Sequence, residues 1–302
     1  MERSYMNRLI ISLSALAALM LTACDRLDMV GMLHSSGTHV EDRVGEWLAW
    51  NEAHGMPVID GVADEYCVYV TSDIHITDSA PRVERFLDAE YRDAKAVFSI
   101  INGDICNESG DDPCRVLDSV KRLPRPYNHV PGPAEDTCFV LIGNHDIYFD
   151  CQRYYQQYFH TSTYTVTVNT VGGNKDLFIF MDSGNATHGS RQLAWLKDVL
   201  SHREIYRHVV LNTHTSLFRN SYDYSTTPAA NFPEQENYEL LKLLNDYRVT
   251  LCLTGHWHHK EEHIIGDVMC VMTDNLNEDE EAPNYLVVTM GEKVRYEFRD
   301  LK

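Results

Sequence analysis

Basic residues are scarce in this chain. Its 302 residues include 26 Lys and Arg against 45 Asp and Glu, a net charge of −19, and no Lys/Arg cluster interrupts that excess. Such a field repels polyanions over a Debye length, which argues against non-specific binding to nucleic acid or to anionic lipid headgroups. Cys-x-x-Cys pairs are absent as well, so a thiolate zinc cluster is not expected. There is no repeat of solenoid or propeller period, and no Pro-rich, Gln-rich or Gly/Ser-rich tract long enough to link two domains. With 44% hydrophobic residues the chain has apolar surface for a full core, and its length suits one large α/β domain.

What is present begins with a distinct leader. Arg3 and Arg8 precede an apolar run at residues 9–21, which ends in Leu21-Thr22-Ala23-Cys24. That run is too short to span a bilayer comfortably. A basic start, a short apolar stretch and small residues before a cut point make a secretory signal. The ending resembles the bacterial lipobox, and the resemblance implies cleavage before Cys24 and lipidation of that residue. The product is then an exported protein anchored to a membrane, on a periplasmic or cell-surface face. Removing residues 1–23 takes away Arg3, Arg8 and Glu2 and moves the charge from −19 to −20. Residues 25–40 are short on apolar periodicity and read as a tether, and residues 41–50 as a short amphipathic helix. The expected division is a signal peptide at 1–23, tether and helix at 24–64, and a folded domain at 65–302.

Outside the cytoplasm disulfides can form. Cys67, Cys138, Cys252 and Cys270 lie in apolar strand-like runs, where a thiol behaves as a small core hydrophobe. Cys106 and Cys114, in a polar Gly/Asp/Pro stretch, are the expected disulfide pair.

From Tyr66 onward strand-like and helix-like segments alternate, which favours parallel strands covered by helices. Apolar, β-branched runs at 66–71, 97–101, 138–142, 178–181, 209–211 and 250–253 read as buried strands. Helical patterns fall at 81–95, 115–123, 191–202 and 233–246. Gly172-Gly173-Asn174 between 163–171 and 176–181 is a hairpin signal. Residues 262–298 read as further antiparallel strands, with 277–281 as an exposed acidic turn. Two sheets packed face to face with helices outside absorb all of these in one α/β domain.

The ends of the buried strands carry polar clusters: Asp73-Ile74-His75, Gly103-Asp104, Gly143-Asn144-His145-Asp146, His214, and Gly255-His256-Trp257-His258. In open α/β sheets the carboxyl edge is where ligands bind, so distant strands can deliver these side chains into one crevice. Carboxylate, amide oxygen and imidazole are ligands for borderline or hard divalent metals. Two Asp, one Asn and four His are too many for one tetrahedral ion and suit two ions. Such a pair, about 3.5–4 Å apart, stabilises the attacking and leaving oxygens of an in-line displacement at phosphorus.

The pattern D-x-H, G-D, G-N-H-[DE], H, G-H-x-H, in this order across residues 73–258, resembles the calcineurin-like metallophosphoesterase family. The resemblance implies two packed mixed β-sheets flanked by helices, an αββα sandwich. It also implies hydrolysis of a small phosphate ester, mono- or diester, by a hydroxide bridging two divalent metals, with Mn, Fe or Zn all suited. Asp73, His75 and His258 would hold one ion, Asn144, His214 and His256 the other, and Asp104 would bridge them. His145 would stabilise the transition state or protonate the leaving alkoxide, and Asp146 would orient it by accepting a hydrogen bond from its ring.

Two departures narrow the branch. Purple acid phosphatases have a Tyr three residues after the bridging Asp and no His in the first motif, where this chain has Asn107 and His75. 5′-Nucleotidases add a large C-terminal substrate domain, for which the residues after His258 leave no room. Substrate choice is expected in loops at 107–113, 125–136 and 216–233, the last carrying Arg219, Tyr222, Tyr224 and Phe232. A catalytically silent metal-binding scaffold and a nuclease are the alternatives; acidic charge counts against the nuclease. Asp182, after another buried strand, reads as a loop former, Trp257 as a wall of the site or a packing residue, and His259 and His263 as solvent-facing or supporting. Cys24→Ser should leave the chain unlabelled in cells fed radiolabelled palmitate, whereas label on that variant would contradict lipidation at Cys24.

Overall fold

The computed structural model describes residues 39–76, 80–106, 138–148, 151–218, 232–277 and 282–302. The leader, Cys24, Cys114, the helix expected at 115–123, most of the three candidate substrate loops and most of the acidic turn lie outside them.

Among the described residues, twelve strands form two sheets. β1 (Val58–Val62), β5 (Tyr164–Thr170), β6 (Lys175–Met181), β7 (His208–Thr213), β8 (Leu251–Thr254), β9 (Glu261–Ile265) and β10 (Val268–Met272) make a seven-stranded sheet ordered β1-β5-β6-β7-β8-β10-β9. β2 (Tyr66–Thr71), β3 (Ala96–Asn102), β4 (Cys138–Leu141), β11 (Asn284–Met290) and β12 (Arg295–Asp300) make the second, ordered β12-β11-β2-β3-β4. Both are mixed: β6, β7, β8 and β10 run parallel, as do β2, β3 and β4, while β5–β6, β10–β9, β11–β2 and β11–β12 pair antiparallel.

Period-two alternation divides the side chains. Phe178 and Phe180 of β6 turn inward to meet Val68, Val70, Phe98, Ile100 and Phe139 of the other sheet. Their neighbours Leu177 and Ile179 face outward, as the strand pleat requires. There they meet α4 (Gly189–Leu200) through Leu193, Leu196 and Leu200, and α5 (Glu234–Asp246) through Leu240, Leu243 and Leu244, both at helical spacing. On the far side, α1 (Val40–His54), α2 (Pro81–Arg92) and α3 (Gln152–Phe159) cover the five-stranded sheet with Val44, Trp47, Val83, Phe86, Tyr155 and Phe159. The result is the αββα sandwich.

The strands and helices expected from the sequence in the described residues are present with ends shifted by a few residues. The packed structure, however, already includes α1 and β1, ahead of the boundary expected at residue 65: Trp47 is buried in the core and β1 pairs with β5. The final region also differs from a purely antiparallel reading. β10 runs parallel to β8, and β11 crosses to the other sheet to pair with β2. Cys67, Cys138, Cys252 and Cys270 are buried free thiols, as is Cys106, whose expected partner Cys114 lies outside the described residues; Cys151 is buried as well. Among the described residues no helix is long and apolar enough to cross a membrane.

Phe98 joins the sheets, stacking edge-on with Phe139 at 5.2 Å and with Phe178 at 5.0 Å. Phe98→Ala should cost about 3–5 kcal/mol of unfolding free energy, read by urea titration, because the cavity lies between two rigid sheets.

Candidate metal centre

Five strands of the two sheets end at one edge, and a polar group follows each. β2 delivers Asp73 and His75, β3 Asp104, β4 Asn144, His145 and Asp146, β7 His214, and β8 His256 and His258. The structure brings all of these together. Three overlapping groups have ligand atoms within 4.8 Å of one another: Asp73, His75 and His258; His75, Asp104 and His145; Asp104, His214 and His256. Asn144 joins through Oδ1, 3.0 Å from His214 Nε2. Asp104 and His75 belong to two groups each, and Asp104 links the His75 side to the His214 side.

The local backbone is unusual. Asp73, His75, Asp104, His256 and His258 all have positive φ, at 52°, 38°, 52°, 82° and 54°. L-residues avoid that region, and each such residue costs about 1–3 kcal/mol unless its surroundings fix it. Glycines permit the crowding. Gly103 has φ +88°, and a Cβ there would lie 2.7 Å from His214 Nδ1 and 2.9 Å from Gly143 Cα. At Gly255 a Cβ would collide with the Ser72 side chain and sit 2.6 Å from Asp73 Oδ2.

Backbone carbonyls aim the rings. His214 Nδ1 meets Asn102 O at 2.8 Å and His75 Nδ1 meets Cys106 O at 3.3 Å. A carbonyl only accepts, so Nδ1 carries the hydrogen and Nε2 is directed into the cluster, the usual support for a ligand imidazole. These supporting carbonyls were not legible in the sequence, because any residue can supply one.

The electrostatics demand a cation. Asp73 and Asp104 are buried, at 0% and 1% exposure. Burial would raise both pKa values, but His214 and His258 hold Asp73 down at about 2, and His214 and His145 hold Asp104 well below the carboxylate range. In return, His214 is pushed up to about 10: burial opposes this, and Asp104 and Asp73 outweigh it. His256 falls to about 4 through burial and the His214 charge. Without metal, His214 thus carries the compensating positive charge.

The residues fit divalent ions on geometric grounds. Asp73 Oδ1 and His256 Nε2 are buried with no hydrogen-bond partner, a costly state for polar atoms that a metal relieves. His75 Nε2 and His258 Nε2 face each other at 3.2 Å, which needs a proton or a cation to avoid lone-pair repulsion. His258, 40% exposed, is the ligand nearest solvent.

Asp146 has a different task from the one expected. Its Oδ1 accepts from the Ile105 and Cys106 amides, both at 3.0 Å, and Oδ2 from Gly143 at 2.8 Å. It pins the β3 and β4 loops together rather than orienting the His145 ring. Burial and the Asp104 charge raise it to about 7. His145 places its own amide 2.9 Å from Asp104 Oδ1 and its Nε2 3.8 Å from Oδ2. Burial lowers its pKa to about 3 and keeps the ring neutral.

One support was missed in the sequence. Arg43, buried on α1, binds Asp182 through Nε at 3.0 Å and through a second nitrogen at 2.8 Å, and Asn185 at 2.7 Å. Asp182 accepts from Gly184, and Ser183 Oγ accepts from the Thr215 amide, so this loop braces the one bearing His214. Trp257 packs its ring 4.8 Å from that of His256.

Residues 68–260, more than half of the chain, match the family model for calcineurin-like phosphoesterases, and the chain belongs to that family. No curated protein matches the sequence. Among solved structures the fold is similar to a dimetal phosphatase from Danio rerio, at 10% identity and TM-score 0.61, covering 78% of this chain and 96% of that one. It is similar to the purple acid phosphatase PPD1 of yellow lupin, Lupinus luteus, at 12% identity and TM-score 0.59, covering 80% of this chain and 52% of that one. GAP50, the anchor in the inner membrane complex of Plasmodium, follows at 15% identity and TM-score 0.56, covering 79% and 85%. At these identities the likeness is one of fold.

His214 supplies a test. With its pKa near 10 in the metal-free chain, it carries at pH 7 a proton that a ligand nitrogen must lose. Metal uptake should therefore release protons and weaken as pH falls. Calorimetry of zinc binding in two buffers of different ionisation heat reads this, and zero proton release would contradict it.

Proposed function

We propose that the chain is a two-metal phosphoesterase acting on small phosphate mono- or diesters. The observation that carries this is the convergence of seven oxygen and nitrogen donors around two buried carboxylates, at the carboxyl ends of strands from both sheets. Asp73, His75 and His258 would hold one divalent ion and Asn144, His214 and His256 the other, with Asp104 between them. Such ions, when bound, supply positive charge for the phosphate oxygens and lower the pKa of water toward neutrality.

The protein's own residues do the rest. The strained strand ends fix the donors before substrate arrives, so little reorganisation is left for the reaction. His145, one-fifth exposed, is neutral and donates a hydrogen bond to a phosphoryl oxygen. A bound phosphate raises the pKa of that ring through its negative charge. With that rise the ring can take up a proton from solvent and pass it to the departing alkoxide, returning to the neutral form, as the oxygen of a water forms the new P–O bond and the ester bond breaks. Asp146 keeps the loops carrying Asp104 and His145 in register. In this reading the enzyme is exported and held at a membrane by lipid on Cys24, which the leader sequence supports.

The test is hydrolysis of a chromogenic phosphate monoester and diester by chelated protein to which manganese or zinc is returned. Metal-restored turnover of either is expected. Bound metal without turnover would favour the scaffold. His145→Ala should keep its metal while turnover falls about 10²–10⁴-fold; unchanged turnover would remove His145 from the mechanism.

A further inference from the structure

Asn144 offers two different atoms at the end of one side chain. Its Oδ1 has lone pairs that a cation can use, whereas its Nδ2 carries two hydrogens and can only donate. A half-turn of the terminal amide exchanges the two. Only one of these arrangements makes Asn144 a ligand, and at 5% exposure the side chain has little water to satisfy whichever atom is turned away.

The partner for that atom comes from four residues further along the chain. Asn144 Nδ2 donates to the Tyr148 hydroxyl at 2.8 Å, while Oδ1 lies 3.0 Å from His214 Nε2. Among the described residues no second acceptor meets Nδ2. The chain folds back in this way because His145–Ile147 form a single turn of 3-10 helix, in which the Ile147 amide donates to Asn144 O at 3.3 Å. Just beyond it, the Tyr148 carbonyl accepts from the Cys151 amide at 3.0 Å. Tyr148 itself is 2% exposed, and its ring lies beside that of His145, the centroids 5.0 Å apart. A buried phenol usually finds a partner for its hydroxyl, and the Asn144 amide is one here.

We infer that Tyr148 is a positioning residue for the metal centre: its hydroxyl holds the Asn144 amide with Oδ1 toward the ion that Asn144, His214 and His256 would share. The role rests on the two-metal reading and extends it by a residue that supplies no ligand atom. His214 and His75 are aimed by backbone carbonyls, whereas the amide of Asn144 is aimed by a side chain. Without the hydroxyl, a buried NH₂ group is left with no acceptor whenever Oδ1 faces an ion. That penalty falls on the metal-bound state, in which the amide cannot turn over. Loss of such a partner to a ligand costs about 10–100-fold in metal affinity.

Tyr148→Phe is the discriminating change, since it keeps the ring beside His145 and deletes the oxygen alone. The full chain, Tyr148→Phe, Asn144→Ala and the double variant are stripped with chelator and checked for folding by circular dichroism. Each is then titrated with zinc against a competing chromophoric chelator, which gives a dissociation constant for each bound ion. In Tyr148→Phe one of the two affinities should fall about 10–100-fold, with the other unchanged. On the Asn144→Ala background the same change should add nothing further, because the hydroxyl acts through that amide. Equal affinities in the parent and Tyr148→Phe, or an equal loss with and without Asn144, would overturn the role and leave the two-metal reading standing. A parent that takes up fewer than two zinc ions would overturn that reading, and the role of Tyr148 with it.

Discussion

Two carboxylates buried side by side set the terms for this structure. Asp73 and Asp104 are shielded from water, and an uncompensated buried charge costs far more than a domain's net stability allows. In the metal-free chain the compensation comes from imidazolium: His214 stays protonated although it is fully buried, because both aspartates surround it. Divalent ions would replace that proton with a larger charge. For a chain of net charge −19, divalent ions held by these carboxylates would supply the local positive charge that the proposed anionic ester requires.

Holding those carboxylates in place requires backbone that propensity disfavours. The positive φ values at Asp73, Asp104 and His256 come directly after buried strands, whose ladders and inter-sheet core fix the residues on one side. Asp146 pins the β3 and β4 loops from the other side by accepting three amides, and Arg43 braces the Asp182 loop from α1. The strain is thus carried by a rigid sandwich and concentrated where ligand atoms must approach within van der Waals distance of one another.

Much of this was legible in the sequence. The central strands announce themselves as apolar, β-branched runs, and a polar cluster directly after such a run has few uses other than a site. The order of Asp73, His75, Asp104, Asn144, His214, His256 and His258 was therefore readable without coordinates. What escaped has physical reasons. β1, largely exposed, with Gly61 inside it, offers little pattern, and α3 is a polar Gln/Tyr segment whose helicity depends on burying Tyr155 and Phe159. The role of Asp146 rests on amides contributed by residues some 40 positions away, and the Arg43–Asp182 pair spans 139. Contacts of that range are made by the fold and leave no local signature.

The most direct measurement is anomalous scattering from crystals of the protein grown with manganese or zinc. Two peaks about 3.5–4 Å apart, with the Asp104 carboxylate between them and His75 and His214 on opposite sides, are the predicted result. A single peak, or ions away from Asp104, would contradict a two-metal centre built on these buried carboxylates.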